Sequence, residues 1–164
     1  VSARVFDEEK GYGPEFDHMA IMVTIQPHDY LADVGFGEFT FEPLKIELDT
    51  EQLDSRGVFR IETYDAQYKI DKKGKETGMF IPEYIFSEKE RLPEDFFEMC
   101  NYHQTSKDSH FTQIRLCSLP TPEGRITLTG NTLKITTGKA IAESELQTEL
   151  EVAQVLKEYF RIAL

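Results

Sequence analysis

Two apolar runs, residues 19–25 and 30–34, flank the segment Gln26-Pro27-His28-Asp29. Proline and aspartate between two strand-length apolar runs are turn chemistry, so this stretch reads as an antiparallel hairpin. Downstream, residues 44–48, 58–64 and 68–71 alternate apolar and charged side chains as half-buried strands do. Residues 80–86 add a weaker strand interrupted by Pro82. Five or six short strands with little helix between them predict a sheet that closes on itself, since closure removes exposed edges. The first part, residues 1–88, therefore reads as a small antiparallel β-barrel.

The pattern changes after the charged stretch 87–91. Leu92-Pro93-Glu94-Asp95 places proline and two acids in a first helical turn, announcing a helix to about Tyr102. Residues 113–119, 125–129 and 132–137 read as strands, the last two joined by the turn pair Gly130-Asn131. Thr148-Glu149-Leu150-Glu151 has capping-box spacing, and Val152, Val155, Leu156, Tyr159, Phe160 and Ala163 mark one face of a terminal helix. The whole is α+β: a barrel over 1–88, an interdomain helix over 89–104 and an α/β lid with a C-terminal helix over 105–164.

Charge narrows the partners. Eighteen basic against thirty acidic residues give a net charge of -12, which repels nucleic acid and anionic membrane surfaces. No apolar run reaches membrane-spanning length and no signal peptide opens the chain, which predicts a soluble, cytosolic protein. Cys100 and Cys117 fit neither a disulfide framework nor a zinc site, and no two histidines share metal-ligand spacing with an acid, so no metal is expected.

His18 and Asp33 bracket the hairpin. An aspartate inside Leu31-Ala32-Asp33-Val34 interrupts an apolar strand, and a buried carboxylate requires a partner such as an imidazole N–H. A turn near Pro27 and His28 brings Asp33 opposite Ile21 or Met22, one short step from His18. Histidine oriented by a carboxylate is apparatus for activating a serine or cysteine, yet no nucleophile motif accompanies it. Cys100 falls late in its predicted helix, where the dipole raises a thiol pKa, and Cys117 lies among apolar strand residues; both read as buried structural cysteines. The segment 102–111 is a hydroxyl-rich turn able to offer donors to a phosphate, or simply a polar loop.

Asp17-His18-Met19, then Tyr30-Leu31-Ala32-Asp33-Val34-Gly35-Phe36-Gly37, then Pro43-Leu44 resemble the central signature of the arylamine N-acetyltransferases. The likeness continues through Glu94-Asp95-Phe96, Gln104-Thr105-Ser106 and Cys117-Ser118-Leu119-Pro120-Thr121-Pro122-Glu123-Gly124 to the terminal helix. It implies a cysteine-protease-like arrangement in the complete enzyme, with an N-terminal helical domain carrying the nucleophile in an Arg-Gly-Gly-x-Cys motif. That motif is not in these 164 residues, so the resemblance places the cysteine upstream of Val1 and makes the isolated chain an inactive barrel and lid. The implied reaction moves acetyl from acetyl-CoA to an arylamine, arylhydroxylamine or hydrazine. His18 would be its base and Asp33 the orienter of His18; Asp17 and Phe36 would border the acceptor, and Tyr102, Thr105 and Ser106 the coenzyme.

Lys107 departs from the family pattern, which has proline there. Pro14-Glu15 depart from the small residue and glycine that some relatives present to the coenzyme. A different class of reading stays open: a non-catalytic acyl-CoA-binding homologue, or a subunit paired with a separate cysteine-bearing chain. Without the helical domain an apolar face is expected to be uncovered, which predicts self-association.

Overall fold

The hairpin is formed, one or two residues tighter than expected. Strands β4 (Ile21–Ile25) and β5 (His28–Ala32) pair antiparallel with Ile21 opposite Ala32 and Ile25 opposite His28, so Asp33 falls just beyond the ladder, at the His18 end. Their inward side chains include the fully buried Leu31, while Ile21, Val23 and Ile25 face outward and stay exposed. Strand β6 (Leu44–Lys45) completes this three-stranded sheet; the strand expected over 44–48 is only two residues long, with Leu48 making a lone parallel bridge to Ile61.

A computed structural model of the chain describes residues 1–37 and 39–164, in two compact units, Val1–Cys100 and Asn101–Leu164. The first unit adds a second sheet to the hairpin sheet. It comprises β1 (Ser2–Asp7), β2 (Gly11–Tyr12), β3 (His18–Met19), β7 (Glu51–Asp54), β8 (Gly57–Tyr64), β9 (Gln67–Lys73) and β10 (Phe80–Phe86). The order is β2-β1-β10-β9-β8-β7, with β3 also on β1. Pro82 is accommodated in β10 because the register shifts between Pro82 and Tyr84.

The expected barrel does not close. Among the described residues the pairing path ends at β2 and β7, and the hairpin sheet is separate. Face-to-face packing does the burial instead: Leu31, Phe39 and Leu44 from the hairpin side share one core with Phe59, Ile61, Ile70, Tyr84 and Phe86. Open edges are made safe by brevity and charge, β2 being two residues and β7 carrying Glu51 and Asp54.

One segment serves both sheets. Residues 18–19 pair with β1 and residues 21–25 with β5, and the buried Ala20 between them donates its N–H to the Val1 carbonyl at 3.2 Å. His18 thus stands at the corner where the sheets meet, opposite Ala3.

Pro93–Phe96 form a 3-10 turn whose start is capped by Asp95 accepting the Leu92 N–H at 2.9 Å. The turn runs on as α1 (Phe97–Thr105), past the expected end at Tyr102. Cys100 is therefore fourth of nine helical residues, and it is exposed; Cys117 is half-buried, so neither is the fully buried cysteine expected from the sequence. In the second unit Ser109 caps the short helix α2 (His110–Gln113). A meander follows, β11 (Leu116–Thr121), β12 (Gly124–Thr129), β13 (Thr132–Thr137) and β14 (Ala140–Glu145), and then α3 (Glu149–Phe160). Glycine is obligatory at 124, where a Cβ would lie 2.1 Å from the Thr136 carbonyl oxygen. The Thr148–Glu151 capping box forms, and Val152, Val155 and Leu156 pack on Leu128 and Leu133. Arg161, at φ 58°, ends the helix before Ala163, which the sequence placed on its apolar face.

Candidate active site

The centre of the site is a carboxylate with no free edge. Asp33 Oδ2 lies 2.7 Å from His18 Nε2 and accepts the Tyr84 hydroxyl at 3.0 Å; Oδ1 accepts the N–H groups of Gly35 and Phe36, both at 3.0 Å. The Asp33 side chain is wholly shielded from solvent, and that of His18 retains 15% of its exposure. Burial pushes the carboxyl pKa up, but hydrogen bonds and charge from His18, with the Phe36 amide and Tyr84, outweigh it and leave the group below its ordinary value. Asp33 is therefore ionised at neutral pH and can only accept, so Nε2 of His18 carries a proton and points it at Oδ2.

That assignment leaves Nδ1 as the nitrogen with a free lone pair when the imidazole is neutral. Among the described residues His18 makes no second side-chain hydrogen bond; its other neighbours are the rings of Phe36, at 5.4 Å, and Tyr84, at 5.8 Å. No thiol is among them. Burial raises the Cys117 thiol pKa above its ordinary value, the reverse of what a nucleophile requires.

Each member is fixed by a separate piece of local structure. β3 holds His18 against Ala3, while β5 ends at Ala32 and turns through Asp33, whose own side chain ties down the next two amides. β10, paired with β1 so that Tyr84 faces Val5, brings in the phenol. Gly35 is the glycine that matters in Gly35-Phe36-Gly37: a Cβ there would stand 3.3 Å from His18 Cε1, whereas one at Gly37 would meet nothing within 4 Å. Phe36 packs edge-on against Tyr84 and Phe39 and lines the same side as the imidazole.

Sequence reasoning paired His18 with Asp33 and missed Tyr84. Its signal was of the same kind, a phenol inside the apolar strand 80–86 that needs a partner when buried. Asp17 lies beside His18, its carboxylate 3.2 Å from where a Gly13 Cβ would stand. Tyr102, Thr105 and Ser106 belong to the second unit, at the end of α1 and just behind it. Thr105 Oγ1 donates to the Asn101 carbonyl at 2.8 Å and Ser106 Oγ accepts the Asp108 N–H at 3.2 Å, so the Ser106 hydroxyl hydrogen is uncommitted in that bond. The buried Ser109, 3.1 Å from His103 Nδ1, braces this turn. Among the described residues no cluster of three or more His, Cys, Asp or Glu is placed to hold a metal. Among the described residues no helix is long and apolar enough to cross a membrane.

Comparison with known proteins gives the site its context. A family model described as N-acetyltransferase matches residues 1–164. Arylamine N-acetyltransferase 2 of Macaca mulatta is 31% identical over 93% of this chain and 60% of its own. This chain belongs to the arylamine N-acetyltransferase family. A pineal gland arylamine N-acetyltransferase of Gallus gallus is 29% identical over 100% of the chain and 64% of its own length. Among solved structures, a Mycobacterium smegmatis arylamine N-acetyltransferase superposes with a TM-score of 0.85 at 22% identity, over 99% of this chain and 61% of that one. The Mycobacterium marinum arylamine N-acetyltransferase in complex with CoA superposes with a TM-score of 0.83 at 23% identity, over 98% and 60%. These structures share the family fold. The chain spans about 60% of the length of the curated arylamine N-acetyltransferases it matches.

Proposed function

We propose that His18 and Asp33 are the base and orienting carboxylate of an acetyl transfer from acetyl-CoA to an arylamine, arylhydroxylamine or hydrazine. The observation that carries this is the polarity of the imidazole, with Nε2 committed to a buried carboxylate and Nδ1 left for a reacting group. The nucleophile is a cysteine supplied from outside these 164 residues.

His18 Nδ1 takes the thiol proton, leaving a thiolate beside an imidazolium that Asp33 stabilises. The thiolate attacks the acetyl-CoA carbonyl; the tetrahedral intermediate collapses with expulsion of the CoA sulfur, which leaves as a thiol with the Nδ1 proton. In the second half the amine attacks the acetyl-cysteine and yields its proton to Nδ1, and the cysteine sulfur departs as thiolate. Phe36 is the aromatic wall of the acceptor pocket and Asp17 its backbone neighbour. Tyr102 and Thr105 on α1 and Ser106 just behind it border the coenzyme, and residues 105–164 form the lid.

The exposed row Met19, Ile21, Val23 and Ile25, starting directly after His18, supports a cysteine-bearing segment seated on this side. An apolar hollow of about 330 Å³ opens in the same face, lined by Val23, Ile25, Tyr30, Ala32, Glu42 and Pro43 and separate from the imidazole. The 164-residue chain incubated with acetyl-CoA and an arylamine gives no turnover; turnover at the rate of a complete family enzyme would sink the proposal. Joined to a family member's cysteine-bearing segment, the chain turns over, and His18→Gln abolishes acetylation of the cysteine.

A further inference from the structure

Two residues ahead of the imidazole, Phe16 sits at φ 67°. That is the left-handed region, which an aromatic residue enters only when its surroundings hold it there. Phe16 is half-buried, so hydrophobic burial alone does not account for the conformation. What it does is redirect the chain arriving from residues 13–15 into β3, the strand that presents His18.

Three attachments hold it, each from a different part of the first unit. The Phe16 N–H donates to Ser2 Oγ at 2.8 Å, from β1. The Phe16 ring meets Phe96 of the 3-10 turn edge-on, with centroids 5.4 Å apart at 84°. The Arg91 guanidinium lies 4.9 Å from the Phe16 centroid, steadied by Glu15 Oε2 at 3.4 Å from Nη2. Ser2 is buried, and its backbone pairs with Met19 while Ala3 pairs with His18. The hydroxyl that fixes Phe16 therefore belongs to the strand against which the imidazole is registered. Release of Phe16 would loosen the entry into β3 and let the short His18–Ala3 pairing shift, and the 2.7 Å contact between His18 and Asp33 tolerates a misplacement of only about 0.5 Å.

We propose that Phe16, held left-handed by Ser2, Phe96 and Arg91, is a positioning residue that sets the aim of the His18 imidazole. Its catalytic meaning rests on the reading of His18 as the base; the geometry does not.

The test uses the 164-residue chain labelled with 15N. The Nε2–H proton that His18 gives to Asp33 produces a downfield, slowly exchanging imidazole signal. Phe16→Ala and Ser2→Ala broaden or abolish that signal, and Phe16→Tyr, which keeps the ring, retains it. Arg91→Gln, a change at a partly exposed side chain, repeats the loss if either of the first two variants fails to fold. A fall in unfolding temperature with the signal unchanged in position and exchange rate would overturn the proposal, leaving the clamp a purely structural feature. In the complete enzyme the same variants lower kcat by on the order of tenfold to a hundredfold with KM for acetyl-CoA unchanged. A lost signal with unaltered kcat would uphold the positioning and count against His18 as the base.

Discussion

Tyr84 and His18 share one oxygen: the phenol reaches Asp33 Oδ2 at 3.0 Å and the imidazole reaches it at 2.7 Å. The carboxylate is thus held from two sides, by a group that can pass a proton on and by one that cannot, since burial and the neighbouring Asp33 charge push the Tyr84 pKa well above its ordinary value. Tyr84→Phe keeps the ring contacts to Phe36 and Phe39 and removes only the donor. Urea unfolding should show a loss of about 1–3 kcal/mol, the usual cost of depriving a buried charged acceptor of a partner.

Asp33 also sets a pH dependence. Its folded pKa lies below its ordinary value, so on acidification the unfolded chain takes up this proton first and the stabilisation disappears as pH falls through the folded pKa. The contribution is complete above the ordinary aspartate range of about 3.9. Thermal unfolding between pH 5 and acid values should show a shallower decline for Asp33→Asn than for the unaltered chain, together with lower stability at neutral pH.

Two glycines a single residue apart should respond differently to the same change. Gly35→Ala drives a methyl to 3.3 Å from His18 Cε1 and must displace the ring or the turn, whereas Gly37→Ala enters open space. The first should shift the His18 imidazole resonances and lower acetylation in the complete enzyme. The second should leave both unchanged and raise stability by up to about 1 kcal/mol by restricting the unfolded chain.

Glu83, at the irregularity of β10, behaves in the opposite sense to Asp33. Burial raises its pKa, with Lys72 opposing and Asp71 adding to the shift, so its ionisation works against folding near neutrality. Glu83→Gln should raise the unfolding temperature at pH 7, and the gain should fade as pH falls through the raised folded pKa and be gone by the ordinary glutamate value of about 4.3.

What could be read from the sequence was local. The hairpin was legible because proline and aspartate separate two apolar runs, and the His18–Asp33 pair because an acid in an apolar strand demands a donor. Tyr84 escaped because its partner is 51 residues away and nothing local joins them. β14 escaped because every residue of Ala140–Glu145 is exposed, so it has no two-faced alternation to read. The environment of Cys100 was misjudged because α1 begins in a 3-10 turn and runs on to Thr105, which changes both the helix phase and the distance of the thiol from its end. Barrel closure was inferred from strand count, whereas two sheets sharing one aromatic core bury the same side chains without it.

The four donors to Asp33 come from β3, from the turn behind β5 and from β10, segments separated by most of the first unit. An intermediate in which β10 has not docked leaves this carboxylate short of a donor and its imidazole poorly anchored. The proposed role of His18 as a base is therefore tied to completion of folding, and the His18–Asp33 hydrogen bond can serve as a quality-control reporter: a chain that displays it has joined β3 to the turn behind the hairpin sheet.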